Sequence, residues 1–377
     1  GVDDEEEEED DDDQEVALNI PWIKETNQPN SPNALALPNH HPYSQQIPMT
    51  PIRNHQNRVG TADGSNGRSS DGDGAEETAI TSSKRKPNDD NEEDGEYNEM
   101  EVLSELFRCF GGNQWKEKTG WGVDLHVGRW FGISIDKNSK KIIEIRLGFN
   151  NLICVVDSKS HEQNHQNPMQ EIGKLSQLKV LDLQRNNING KFPNSLPISL
   201  MHLDFKDNKM TGRLPEHLFQ DYPCLSHLSL AWNQFSGRLP AFTRSMKCLQ
   251  TVDLSGNMLH GPIPSSIEQL STCRHLWLHS NRFTGMVPLE VCHLRSLRTL
   301  SLSENKLTGT LPPELGTLTY MRKCLVAKNK LNGRVPYELG NLQYLEHLLL
   351  TGNKFIDLNN AVGRLKRHLP NCKIDVN

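Results

Sequence analysis

From Lys141 onward the apolar positions keep a fixed beat. Leu-x-x-Leu-x-Leu is followed by two mostly polar residues, an Asn, and another apolar residue. The clearest copy is Leu249 to Pro264, LQTVDLSGNMLHGPIP. Aligned on the asparagine, the copies fall at Asn150, Asn186, Asn208, Asn233, Asn257, Asn281, Asn305, Asn329 and Asn353. The first interval is 36 residues, the next two are 22 and 25, and the last five are all 24. A period of this length marks a solenoid of stacked coils. In each coil a core such as Leu181-Asp182-Leu183 alternates in, out, in, as a strand's period of two demands. The coils therefore build a parallel sheet along one wall. The asparagine turns the chain out of its strand. Its amide can donate to and accept from the backbone of neighbouring coils, satisfying groups that would cost about 1–3 kcal/mol each if buried unpaired. The Gly and Pro that follow, Gly261 and Pro264 in the clearest copy, shape the return along the convex side. Short helical turns such as Pro313 to Leu318 lead to the next strand.

The recurring L-x-x-L-x-L-x-x-N-x-L, continued as G-x-[IVL]-P-x-x-[LI]-G-x-L, resembles the plant-type leucine-rich repeat. That class is best known from receptor-like kinases and receptor-like proteins. The resemblance covers roughly residues 98–377 and implies an α/β leucine-rich-repeat solenoid, right-handed, with its parallel β-sheet on the concave face. It extends to the start, VLSELFRCFGGNQWKEKTGW followed by GRWFGISID, which is similar to the N-terminal cap of such domains. There a helix and tryptophans, here Trp115, Trp121 and Trp130, would cover the open end of the core. Secreted members carry cap cysteines at this point. This chain has Ser134-Ile135-Asp136, so no cap disulfide is expected. Leu365 to Asn377 looks like a closing helix and edge strand. The expected organisation is an acidic tail over 1–97, a cap over 98–141, about nine repeats over 142–357 with an insertion at 157–168, and a C-terminal cap over 358–377.

Charge adds a second division. Residues 1–100 carry 25 acidic and 7 basic side chains, a net of −18; residues 101–377 carry 23 acidic and 34 basic, a net of +11, which together give the formal −7. The first segment opens with Asp3 to Asp13, all Asp and Glu, and continues in Pro-, Asn- and Gln-rich text. It offers too little apolar surface to offset the entropy of ordering, so a disordered tail is expected, lying over the basic solenoid and screening it. Eight scattered cysteines form no C-x-x-C pair and mostly occupy apolar slots, which predicts reduced, buried thiols. No stretch approaches the roughly 18 apolar residues of a membrane span. No Asn-x-Ser/Thr sequon occurs. These features favour a cytoplasmic or nuclear address, with the cell surface as the alternative should a signal or anchor lie upstream.

The solenoid geometry lets its concave columns be read directly. Six outward residues converge at mid-solenoid: His202, His227, Trp232, His275, Trp277 and His279. Exposed tryptophans are enriched at binding hot spots, so this patch is expected to hold a protein or peptide ligand. The competing account is that each Trp packs on its neighbours across coils. A metal site from His227, His275 and His279 is not expected, because no carboxylate or Cys joins them in register. Leu325 and Leu349, beside Lys323 and Lys328, mark a second contact zone or the approach to the cap. No kinase signature, P-loop or G-x-S-x-G is present, so a non-enzymatic, monomeric interaction module is expected. Neither a cofactor, nor a small-molecule substrate, nor nucleic acid, nor direct membrane contact is expected. The alternative is an extracellular receptor-like protein. A third reading, a zinc hydrolase, rests on HEQNH, His161 to His165. Its surroundings, Asp157 to Pro168, have no apolar face to seat a helix, so the H-E-x-x-H spacing reads as accidental.

Overall fold

The computed structural model divides into two units, Gly1–Pro87 and Asn88–Asn377. It describes residues 99–153 and 168–376. The acidic tail with its screening contact, Cys154 and the HEQNH segment lie outside the described residues.

Helix α1, Glu99–Cys109, opens the described chain with Glu99 and Glu101 in its first turn and Arg108 in its last, signs that suit the helix dipole. It buries Val102, Leu103 and Leu106 on one stripe. Glu99 Oε2 accepts the Ile142 amide at 2.7 Å, tying the helix start to the sheet. Behind it three tryptophans pack in series, with centroids 4.9 Å apart for Trp115–Trp121 and again for Trp121–Trp130. Each indole N–H donates to a backbone carbonyl: Trp115 to Phe110, Trp121 to Phe131 and Trp130 to Asp124. The end of the core is thus covered by rings whose polar edges are satisfied.

One sheet of 11 strands runs through the described residues, from Ile133 to Asp375. Its first pair, Ile133–Ile135 with Ile142–Arg146, is antiparallel. Every later pairing is parallel and in step, for example His202↔His227 and Asp204↔Ser229. The inward row is fully buried: Leu181, Leu203, Leu228, Val252, Leu276, Leu300, Cys324 and Leu348. Helix α2, Pro168–Ile172, precedes the Val180–Asp182 strand. Five later coils return through a 3₁₀ turn entered from an extended proline: Pro215, Pro264, Pro288, Pro312 and Pro336. Proline's fixed φ and missing N–H suit that entry. The convex side also holds short parallel sheets of five and three strands, running through the Asn-to-Gly segments that sequence reading treats only as a return. Helix α3, Leu358–His368, buries Ala361 and Leu365, and the last strand, Lys373–Asp375, pairs with His347–Leu349.

The asparagines bind coil to coil. Asn257 Nδ2 donates to Leu230 O of the preceding coil at 3.0 Å and to Leu254 O of its own at 3.1 Å. Its Oδ1 accepts the Phe235 amide of the preceding coil at 3.0 Å. Asn281, Asn305, Asn329 and Asn353 repeat this. So do Asn186, Asn208 and Asn233. Asn150 faces the cap instead, donating to Glu117 O and accepting the Glu117 amide, both at 2.7 Å.

Candidate recognition surface

Parallel pairing in step places equivalent residues of successive coils side by side, so the concave wall carries columns of side chains. The six residues expected at mid-solenoid form three ring pairs on this wall. His202 and His227, register partners, stack at 4.3 Å with their rings 7° from parallel. His275 and Trp277, two apart on one strand, stack at 5.2 Å. Trp232 meets His279 edge-on at 6.5 Å.

Trp232 owes its position to the turn before the asparagine. The equivalent residues Phe149, Arg185, Asp207, Trp232, Ser280, Glu304 and Lys328 all have φ between 52° and 60°, in the left-handed region. From there Trp232 projects over the next coil, where Gly256 leaves room for it. Its indole is 39% exposed. Trp277 is half-buried. His279 is nearly covered: its Nδ1 pairs with Ser301 Oγ at 3.1 Å, and its Nε2 is buried with no partner. His275 Nδ1 pairs with Thr299 Oγ1 at 3.1 Å.

The histidines are held neutral. Burial, then Arg298, Arg274 and Lys323, pushes His275 down to about 4. Burial, then His202 and Lys206, takes His227 to about 3. Burial also lowers His202 and His279. Asp204 moves the other way: burial pushes its carboxyl up to about 7, opposed by the hydrogen bond it accepts from the Lys206 amide. The wall is a platform of neutral rings edged by charged pairs, such as Lys206–Asp253 at 4.0 Å and Lys328–Glu304 at 3.4 Å. Surface hollows lie elsewhere, one at Val123 to Arg129 of the cap and one around Met286 to Pro312.

One expectation needs correction. Leu325 and Leu349 are buried register partners rather than an exposed apolar zone. A different grouping brings a carboxylate to a histidine pair: Asp204, from the neighbouring column, sits with His202 and His227, their ligand atoms all within 4.8 Å of one another. Exposed Tyr320 and Tyr344 were also missed, although their 24-residue spacing is visible in the repeat.

The leucine-rich-repeat family model matches residues 177–197, 248–270 and 296–318. No curated protein matches the chain in sequence. Among solved structures, the plant peptide hormone receptor RGFR1 in complex with RGF2 is 30% identical over 55% of this chain and 33% of that one, with a TM-score of 0.50. The LRR ectodomain of the membrane receptor kinase GASSHO1/SCHENGEN3 from Arabidopsis thaliana, in complex with CASPARIAN STRIP INTEGRITY FACTOR 2, is 22% identical over 68% and 33%, with a TM-score of 0.56. A plant ice-binding protein is 18% identical over 68% and 87%, with a TM-score of 0.53. The last two show the fold alone. The chain spans about a third of the length of the two receptor ectodomains.

Proposed function

We propose, from the premise that this chain is a leucine-rich-repeat protein of the plant type, that its concave face recognises an extended protein or peptide segment as receptor-like ectodomains do. Such scaffolds are ordinarily non-enzymatic platforms. The observation that carries the reading is the ring patch itself. Trp232 offers a part-exposed indole on an otherwise tightly packed wall, with the stacked His275–Trp277 pair on the same wall. Neutral rings suit apolar and aromatic side chains of a segment laid across the strands, because no imidazole charge needs to be desolvated on binding. The similar peptide hormone receptor, described in complex with RGF2, gives the reading its second support. That likeness also favours a cell-surface setting over the cytoplasmic or nuclear one expected from the missing cap cysteines and sequons.

The test is selection of a displayed peptide library on the full chain. Enriched peptides should lose more than roughly tenfold in affinity for the Trp232→Ala/Trp277→Ala variant while its melting temperature stays close to the parent's. A large drop in melting temperature makes the tryptophans structural, and a library that yields no concave-face binder sinks the reading.

A further inference from the structure

The peptide reading rests on Trp232, His275 and Trp277 and makes no use of the polar quartet around the stacked His202–His227 pair. His202 and Asp204 lie two apart on one strand, and His227 and Ser229 two apart on the next. Register pairs them as His202↔His227 and Asp204↔Ser229, so all four project from one face of adjacent coils. One nitrogen from each imidazole and one oxygen of Asp204 lie within 4.8 Å of one another. Ser229 is 3% exposed, and its Oγ has no hydrogen-bond partner. A buried hydroxyl without a partner is uncommon and points to a missing ligand or water. Asp204 is 7% exposed and accepts the Lys206 amide on Oδ1 at 2.8 Å, which fixes the carboxylate and leaves Oδ2 for another partner.

We propose that His202, His227 and Asp204 form a divalent transition-metal site, of the zinc type, on the concave wall. Two imidazoles and one carboxylate are a donor set that zinc accepts, and three protein ligands leave a fourth position for water or a ligand donor. The local charge balance favours a cation. Asp182 and Asp253 flank Asp204 and Ser229 in the same column, and two cations offset the three carboxylates in part: Lys206, 4.0 Å from Asp253, and Arg146, the register partner of Asp182. A metal bound to an imidazole lies near the ring plane. Parallel rings 4.3 Å apart cannot both meet that condition, so loading requires one ring to turn about χ2 and break the stack. The ligand atoms must also draw in from 4.8 Å to the roughly 3.3 Å between donors on a tetrahedral ion with bonds of about 2.0 Å. Side-chain rotation from adjacent strands can supply that movement. The site stands whether or not a peptide occupies the tryptophan end of the wall.

The test is calorimetric titration of zinc into the chelator-treated full chain, repeated with His202→Gln, Asp204→Asn and His161→Ala. The expected result is one ion per chain, an affinity loss of more than roughly tenfold in the first two variants, and none in the third. Cobalt should give the visible spectrum of a four-coordinate ion, lost in the same two variants. Imidazole nitrogen resonances of His202 and His227 should move on zinc addition as the stack opens. The proposal is overturned if the wild type takes up no zinc. It is equally overturned if Asp204→Asn and His202→Gln, still folded by their melting curves, bind as tightly as the parent, or if His161→Ala alone abolishes binding.

Discussion

The six-membered ring of Trp232 lies directly on the backbone of Gly256. A Cβ built on Gly256 would sit 2.6 Å from Trp232 Cδ2 and Cε3, closer than real carbon contacts allow. Gly256 also has φ +64°, a conformation that side chains other than glycine adopt only with strain. Replacing Gly256 with Val should destabilise the protein by about 2–3 kcal/mol, combining backbone strain with the displaced ring. Urea unfolding measures it. A loss below about 0.5 kcal/mol would mean that the indole swings away freely.

Removal of a mid-ladder asparagine should be among the most damaging single changes. Asn257→Ala strands the buried Phe235 amide and removes one of two asparagine donors from each of the Leu230 and Leu254 carbonyls, which keep Asn233 and Asn281. With about 1–3 kcal/mol for the unpaired amide and roughly 0.5–1 kcal/mol for each lost bond at the carbonyls, a loss of about 2–4 kcal/mol is expected. Asn353→Ala, at the C-terminal end where the same bonds are only part-buried, should cost roughly half as much. Equal losses from the two variants in chemical denaturation would contradict this gradient.

Acid should weaken the fold before the carboxylates titrate. His275 has an ordinary value of 6.5 and a folded value of about 4, so the folded chain binds fewer protons between those limits. The stability it contributes is present above about pH 6.5 and is lost as pH falls toward about 4. His202, His227, His279 and His347 are lowered and act in the same direction. Asp204, raised to about 7, acts in the opposite one. Melting temperature should therefore fall between about pH 7 and about pH 5, and fall less steeply in His275→Gln. A flat profile over that range would rule out the buried neutral histidines.

Thiol chemistry should divide the cysteines sharply. Cys224 and Cys248 are exposed, against the expectation of burial. Cys273, Cys292 and Cys324 are buried with their thiols pushed up to about 12 by burial. Brief alkylation of the native protein should modify Cys224 and Cys248 and leave those three unmodified until denaturant is added. Mass spectrometry of the digested protein locates the labels.

Much of this architecture is legible in the sequence because every coil solves the same problem. The inward Leu203, Leu228 and Leu276 and the turning Asn208, Asn233 and Asn281 are repeated by geometry, and repetition exposes them. The concave columns follow from the same alignment, which is how His202, His227 and Trp232 could be placed on one wall. Depth along that wall was not legible. Whether Leu349 or His279 is open or covered depends on how closely curvature crowds a column, and no period encodes curvature. The trio of His202, Asp204 and His227 is harder to read, because its carboxylate falls in a different column from its imidazoles and its coils belong to the irregular intervals of 22 and 25. The convex sheets stayed hidden because glycine-bearing segments such as Met258–Pro262 read as turns, whereas their ladder hydrogen bonds run between coils.

Asn186 shows what the ladder measures. Its Oδ1 holds the amides of Asn150 and Leu152, and its Nδ2 reaches Leu147 O at 2.9 Å, although 36 residues separate the two asparagines. The same bonds close over 24 residues elsewhere. The stack counts rungs and is indifferent to the length of chain between them, since extra loop length adds closure entropy only logarithmically. A coil can therefore differ in length from its neighbours, as the intervals of 22, 25 and 36 do, and still take its place in the stack.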